Sequence, residues 1–371
     1  MKKILIATDN YLPRRDGITR FLTEIIPRLE KRFEIRIVCP DYGETPASPA
    51  TTKIATYPIL LGDYRPAKLA YGAVKRAVLE ADVVFSQTIG PIGALAILAA
   101  SREKKKVVAF THSIEWELFP KAIENRFIKR HMVPLSKKLA SYLLNKCSLL
   151  IVPSQNIADK LTWEGIHSEK AIVHLGVDSG KFKPAVSKPF AKKKLGLPTD
   201  GIIIGYHGRL SREKDLFTLL RGFIRMRRKH KNVHLLVVGE GIKDVKERLS
   251  KEGVKLVGVQ KDVVPWLQAM DIYCLTSLTE TTSLSVLEAM SCSLPVISTP
   301  VGFVKDYIKE GKNGMLIEKE NPFLLAKKIE ELFLDQLLRD RMGRNARKKV
   351  EKSFDWNTTV GKIEKIFEKM R

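Results

Sequence analysis

Glu280 and Glu288 bracket the stretch ETTSLSVLE, with Thr281, Thr282, Ser283 and Leu284 inside it. The apolar run DIYCLTSL comes before and SLSVLEAMSC after, so the pattern predicts a buried strand, a loop and a helix. Glu280 then lies in the loop. Thr281, Thr282 and Ser283 stand where a helix starts, and hydroxyls and free backbone N–H groups there hold phosphate oxygens. Glu288 falls more than one turn into the helix, where a carboxylate accepts hydrogen bonds from neutral hydroxyls. Two acceptors flanking a phosphate cradle suit a sugar, a diphosphate and a ribose laid in a row. The plain alternative is a pair of helix-end carboxylates favoured by the macrodipole.

Three other loops carry chemistry-bearing residues. In GRLSREKD, Arg209 and Lys214 sit around a turn entering a helix, where two fixed cations would neutralise a departing diphosphate. In a chain with 65 Lys and Arg they could equally be solvated surface charge. THSIEWE puts His112 at the carboxyl end of an apolar run; a lone His is more often structural, and its strand-end place favours function. TDNYLPRRDGITRF sets Gly17 at a helix start, where the backbone can approach a phosphate. The absence of a G-x-G-x-x-G there counts against a dinucleotide enzyme. The chain has no Asp-x-Asp, so a carboxylate-held Mg²⁺ is not suggested; no metal ligand set and no cofactor is expected, at most a non-essential divalent cation.

These loops need strands to hold them. Runs at 4–9, 34–40, 82–87, 106–113 and 149–154 read as buried parallel strands, and those at 201–208, 233–241, 254–259, 271–277 and 295–302 repeat the pattern. Helix-length segments alternate with them, giving an α/β protein of two doubly wound Rossmann-like domains with a ligand cleft between them. We expect an N-terminal domain over 1–180, a Pro-, Gly- and Lys-rich linker over 181–200, and a C-terminal domain over 201–355. A last helix over 356–371 would pack back on the N-terminal domain.

Composition adds a partner class. The 371 residues are 44% hydrophobic and 29% charged, ordinary for a globular chain, but the net charge of +24 calls for a polyanion: nucleic acid, an anionic membrane or phosphorylated substrates. The segment 121–146 carries seven Lys or Arg against one acid, with Ile123, Phe127, Met132, Leu135, Leu139 and Tyr142 at helical spacing. That suits an anionic membrane surface, or a core-facing stripe with a basic back; Pro134 is expected to interrupt the helix. Cys39, Cys147, Cys274 and Cys292 have no metal or disulfide spacing and read as buried thiols in a reducing compartment. The apolar run at 89–100 is too short to span a bilayer, and the N-terminus has no signal-peptide pattern. The expected location is cytoplasmic, peripheral on the inner face of the cell membrane.

Taken together, the Gly17 loop, His112, GRLSREKD, VVGEG, ETTSLSVLEAMSCSLPVIST and NGMLIE resemble the retaining glycosyltransferases of family 4, which have the GT-B fold. The resemblance runs through nearly the whole chain. It implies a hexosyltransferase in which Arg209 and Lys214 grip the diphosphate of a nucleotide sugar. Glu280 would meet the transferred sugar, Glu288 the ribose, and His112 the sugar from the N-terminal side. Main-chain groups at Thr282, Ser283 and Leu284 would complete the phosphate cradle, and the loop at Val259 would lie against the base. Two departures stand out: Ser283 where the family often has Gly, and Asp16 before Gly17 where it often has a Gly pair.

The Glu-Thr start of ETTSLSVLE and the THSIEWE segment resemble the diacylglycerol and related lipid hexosyltransferase branch. The expected donor is a nucleotide sugar, with UDP-hexose favoured, and the acceptor a membrane lipid or lipid-linked glycan. The rival readings are a sugar-nucleotide epimerase or phosphorylase on the same fold, and a basic nucleic-acid-binding protein. No recognition-helix or RNA-binding signature supports the last, so no nucleic-acid partner is expected.

Overall fold

Two parallel sheets carry the chain. The computed structural model describes residues 1–14, 16–47, 49–59, 65–112, 114, 116, 126–280 and 282–370, the side chains of 126–132 excepted. Thr281, the 121–125 part of the basic segment and the side chains of Phe127 and Met132 lie outside the described residues. One compact unit is Met1–Leu175 with Trp356–Arg371, and the other is Gly176–Asp355.

The first unit holds β1 (Lys2–Ala7), β2 (Phe33–Pro40), β3 (Ala50–Ile54), β4 (Val83–Ser86), β5 (Lys106–Phe110), β6 (Leu149–Val152) and β7 (Lys170–Ile172), in the order β3-β2-β1-β4-β5-β6-β7. Val83, Val84 and Phe85 on β4 are all buried, as a strand covered on both faces requires. The C-terminal helix Trp356–Lys369 covers part of one face because Thr359, Ile363 and Phe367 share its buried side. Phe367 packs edge-on to Phe85 and Phe33, with ring centroids 5.1 and 5.6 Å apart. Lys2 Nζ donates to the Phe367 carbonyl at 2.8 Å, tying the last helix to the first strand.

The second unit holds β8 (Ile202–His207), β9 (Val233–Val238), β10 (Lys255–Leu256), β11 (Ile272–Leu275), β12 (Val296–Ser298) and β13 (Gly314–Leu316), in the order β10-β9-β8-β11-β12-β13. Strands β3, β7 and β13 were not expected from the sequence. They are three to five residues long, and β3 is largely exposed, so no apolar run announces them.

The chain order reverses between β1 and β4 in one sheet and between β8 and β11 in the other. Those are the switch points, where open α/β sheets bind ligands beyond their carboxyl ends. The stretch 181–200 is not a free linker. Its helix Lys188–Lys194 belongs to the second unit, and Lys192 Nζ lies 2.7 Å from the buried Asp271 carboxylate. The helix Arg126–Leu144 runs through Pro134 without breaking, against the interruption expected there. A proline inside a helix removes one N–H donor and clashes with the preceding turn, yet this helix continues past it.

Candidate active site

The second unit gathers most of the singled-out residues around its switch point. After β8 the chain turns through Gly208, Arg209 and a 3-10 turn, Arg212–Lys214, into the helix Leu216–Lys229. After β11 it forms the 276–283 loop and then the helix Leu284–Ser291. The two loops are stitched together: Thr276 Oγ1 donates to the carbonyls of Lys214 and Asp215 at 3.1 and 2.9 Å, and Leu278 N–H donates to the Glu213 carbonyl at 2.8 Å. This stitching brings Lys214 Nζ to 2.6 Å from the Glu280 carboxylate, which also accepts from Ser277 Oγ at 3.0 Å. Arg209 reaches Glu213 at 3.1 Å while its side chain stays 55% exposed. Burial alone would raise Glu213, but the Ser211 hydroxyl and Arg209 hold it below the usual carboxylate range. Both cations therefore rest on carboxylates of the same two loops.

The Arg209 loop keeps its shape through a second glycine loop. Gly239, at φ +140°, lies so close that a Cβ there would sit 2.0 Å from the Gly208 carbonyl oxygen. Gly239→Ala should therefore push the Gly208–Arg209 turn aside, costing more than about 1 kcal/mol of stability. A lowered Tm together with a raised KM for the donor would confirm it; a normal KM would separate the turn from donor binding.

Glu288 is buried, and its Oε2 lies 2.7 Å from His207 Nε2 on the end of β8. His207 was missed by the sequence reading, since nothing in YHGRL marks it as facing a residue 81 positions away. Ser283 caps the helix Leu284–Ser291 without a side-chain cap bond; its N–H donates to the Tyr307 phenol oxygen at 3.2 Å. That amide is consequently not free, in contrast to the expectation. Thr282 Oγ1 is buried with no partner, and Leu284 follows half-buried. Val259 stands 63% exposed beyond β10.

In the first unit the switch-point helix Pro91–Arg102 has its N-terminus filled from within. Asp9 accepts from the N–H groups of Ile92 and Gly93 at 2.9 and 3.2 Å and from Thr88 Oγ1 at 2.5 Å. A carboxylate there already satisfies the donors and repels a phosphate. The Gly17 helix start is similar: Asp16 caps it, accepting from Thr19 N–H at 2.8 Å. The space above Gly17 is open, yet the helix end does not offer the vacant anion site expected of it. His112 follows β5 and stacks on Phe110 at 4.4 Å between ring centroids, with Phe21 edge-on at 4.9 Å. Burial pushes its imidazole down to about 3, so it is neutral near neutral pH.

Among the described residues no group of three His, Cys, Asp or Glu could hold a metal ion. The four cysteines are free and buried, and burial pushes the thiols of Cys39, Cys147 and Cys292 up to about 12.

Known proteins match this architecture from end to end. The Glycosyltransferase Family 4 pattern matches residues 15–181, and the Glycosyl transferases group 1 pattern matches residues 187–349. The chain is a glycosyltransferase of GT-B architecture, with a family 4 region followed by a group 1 region. It is 24% identical to an alpha-monoglucosyldiacylglycerol synthase from Acholeplasma laidlawii, over 85% of each chain. It is 28% identical to a D-inositol 3-phosphate glycosyltransferase from Streptomyces avermitilis, over 59% of this chain and 51% of that one. Among solved structures, Anabaena HepE in complex with UDP-glucose superposes with a TM-score of 0.81 at 20% identity, covering 99% of this chain and 100% of that one. Sucrose-phosphate synthase from Thermosynechococcus elongatus gives 0.79 at 16% identity, covering 99% and 98%.

Proposed function

We propose that the chain transfers a hexose from a nucleotide-diphosphate sugar, UDP-hexose first, to a hydroxyl of a membrane lipid or lipid-linked glycan. One contrast carries the donor assignment. The switch-point helix of the first unit is plugged by Asp9, whereas the switch-point loops of the second carry Arg209, Lys214 and the unpartnered Thr282 hydroxyl. The diphosphate therefore belongs to the second unit. Glu280 and His112 meet the transferred sugar, and Glu288, held by His207, meets the ribose. The acceptor hydroxyl attacks the anomeric carbon on the face the diphosphate leaves, and a phosphate oxygen takes its proton. The anomeric configuration is retained. The UDP-glucose bound to HepE supports the choice of uridine and hexose.

The lipid acceptor draws support from the helix Arg126–Leu144. Leu135, Leu139 and Tyr142 are 64, 53 and 55% exposed, so this part of the apolar stripe faces solvent, while Ala140, Leu143 and Leu144 enter the core. Lys146 Nζ lies 4.6 Å above the Tyr142 ring, and Lys138 is exposed beside it. An apolar stripe edged with lysines fits the interface of an anionic bilayer. No helix among the described residues is long and apolar enough to cross a membrane, and the contact proposed is a peripheral one. The printed name of the Acholeplasma relative points to a lipid acceptor too.

The test is transfer of labelled sugar from UDP- and GDP-sugars into a total polar lipid extract. Label should enter the organic phase with one donor and vanish in Glu280→Ala. Donor hydrolysis without organic-phase label would keep the transferase and reject the lipid acceptor. In a flotation assay with phosphatidylglycerol vesicles, Leu139→Glu should lower the bound fraction by about tenfold or more, as a charge replaces a Leu that would enter the bilayer interface. Equal flotation of the variant would reject this helix as the contact.

A further inference from the structure

We propose that Gln87 is a positioning residue for the transfer: it fixes His112 as the Nε2–H tautomer, leaves Nδ1 as a hydrogen-bond acceptor, and keeps its own amide N–H group for a substrate hydroxyl. Gln87 lies just beyond β4, beside the switch point, and is buried. Its Oε1 is 2.9 Å from His112 Nε2. A carbonyl oxygen only accepts, so the imidazole nitrogen facing it carries the proton. The plane of the ring is held by its stack on Phe110 and the edge contact with Phe21.

The other end of the amide is the unusual feature. Gln87 Nε2 is buried with no hydrogen-bond partner, and the neighbouring Thr111 Oγ1 is buried and unpartnered too. A buried amide donor left unmade costs about 1–3 kcal/mol, so an oxygen at this edge is favoured. Asn10 Oδ1, after β1, is a third buried atom without a partner. These atoms cap β1, β4 and β5 in adjacent order in the sheet, so they share one carboxyl edge. The group they suit is neutral and hydroxylated. A hydroxyl can donate to the Nδ1 lone pair and accept from an amide, whereas a carboxylate or phosphate would face that lone pair with another. Among the described residues, the side chains packed against the ring, Phe21, Phe110 and Gln87, carry no charge, and burial lowers its titration.

The inference rests on His112 meeting the transferred sugar, and its test separates the two ideas. In the full chain with ¹⁵N-labelled histidine, the His112 resonances, identified by their loss in His112→Ala, should report the Nε2–H form with no titration between about pH 5 and 9. Gln87→Leu should lose that single tautomer and lower kcat by about tenfold, one hydrogen bond, with Tm little changed. Gln87→Glu sets a carboxylate beside the ring. It should raise the His112 midpoint into the observable range and give kcat an acid limb that rises with pH, absent from the wild type. This second variant carries the test if the first does not fold. A Gln87→Leu protein with the original tautomer and kcat, or a Gln87→Glu protein with no new titration, overturns the proposal. Full activity in His112→Ala overturns the role of His112, and that of Gln87 with it, while leaving the tautomer result standing.

Discussion

Arg209→Ala should lower the transfer rate by about 10²–10³-fold, ~3–4 kcal/mol of transition-state stabilisation, by analogy with removing one oxyanion donor. The effect belongs in kcat, because charge on the diphosphate develops as the sugar–phosphate bond breaks. The fold should be untouched: the side chain is 55% exposed, and Glu213 keeps the Ser211 hydroxyl at 2.6 Å when the guanidinium is gone. Single-turnover rates beside Tm values decide the matter, and an unchanged rate removes Arg209 from the mechanism. Lys214→Ala should behave differently. Lys214 and Glu280 are only 19% and 10% exposed, so losing the ammonium leaves a largely buried carboxylate without its counter-charge. We expect that variant to lose stability as well as rate.

The largest stability effect should come from a residue remote from the chemistry. Lys192→Met should destabilise the protein by about 3–5 kcal/mol, the cost of stranding one member of a buried ion pair. Lys192 Nζ sits 2.7 Å from Asp271 and 2.6 Å from the Gly201 carbonyl, and both charged side chains are below a tenth exposed. Asp271 also accepts from Ile203 N–H at 2.8 Å at the start of β8. For a unit of this size the loss corresponds to a fall in Tm of roughly 10 °C. Adding Asp271→Asn removes the stranded charge while keeping an acceptor for Ile203, so the double variant should recover most of the loss. A Lys192→Met protein that melts like the wild type would mean that water reaches the pair.

Much of this protein was readable before any coordinates. Continuous β-branched runs alternating with amphipathic segments specify parallel, doubly covered sheets, because only strands buried on both faces can be apolar throughout. The loops carrying Arg209, Lys214, Glu280 and His112 were legible for the same reason, since each follows directly on such a run. Short strands such as β7 and β13 were not, because three residues carry no usable period.

What the tertiary structure alone decided is which charges are spoken for. Nothing in the sequence sets Asp9 apart, and only its contacts with Ile92 and Gly93, more than 80 positions on, reveal that it occupies the N-terminus of the helix Pro91–Arg102. The segment around Lys192 reads as a linker because it is polar and lacks periodicity. Its burial depends on partners that the sequence does not pair with it, the Asp271 carboxylate and the Met270 carbonyl, which accepts from Lys188 Nζ. Likewise the stripe of Leu135, Leu139 and Tyr142 has the spacing of a core-facing helix, and the sequence left both faces open. Periodicity identifies that a helix has an apolar side; whether that side meets protein or water is set by the elements packed around it.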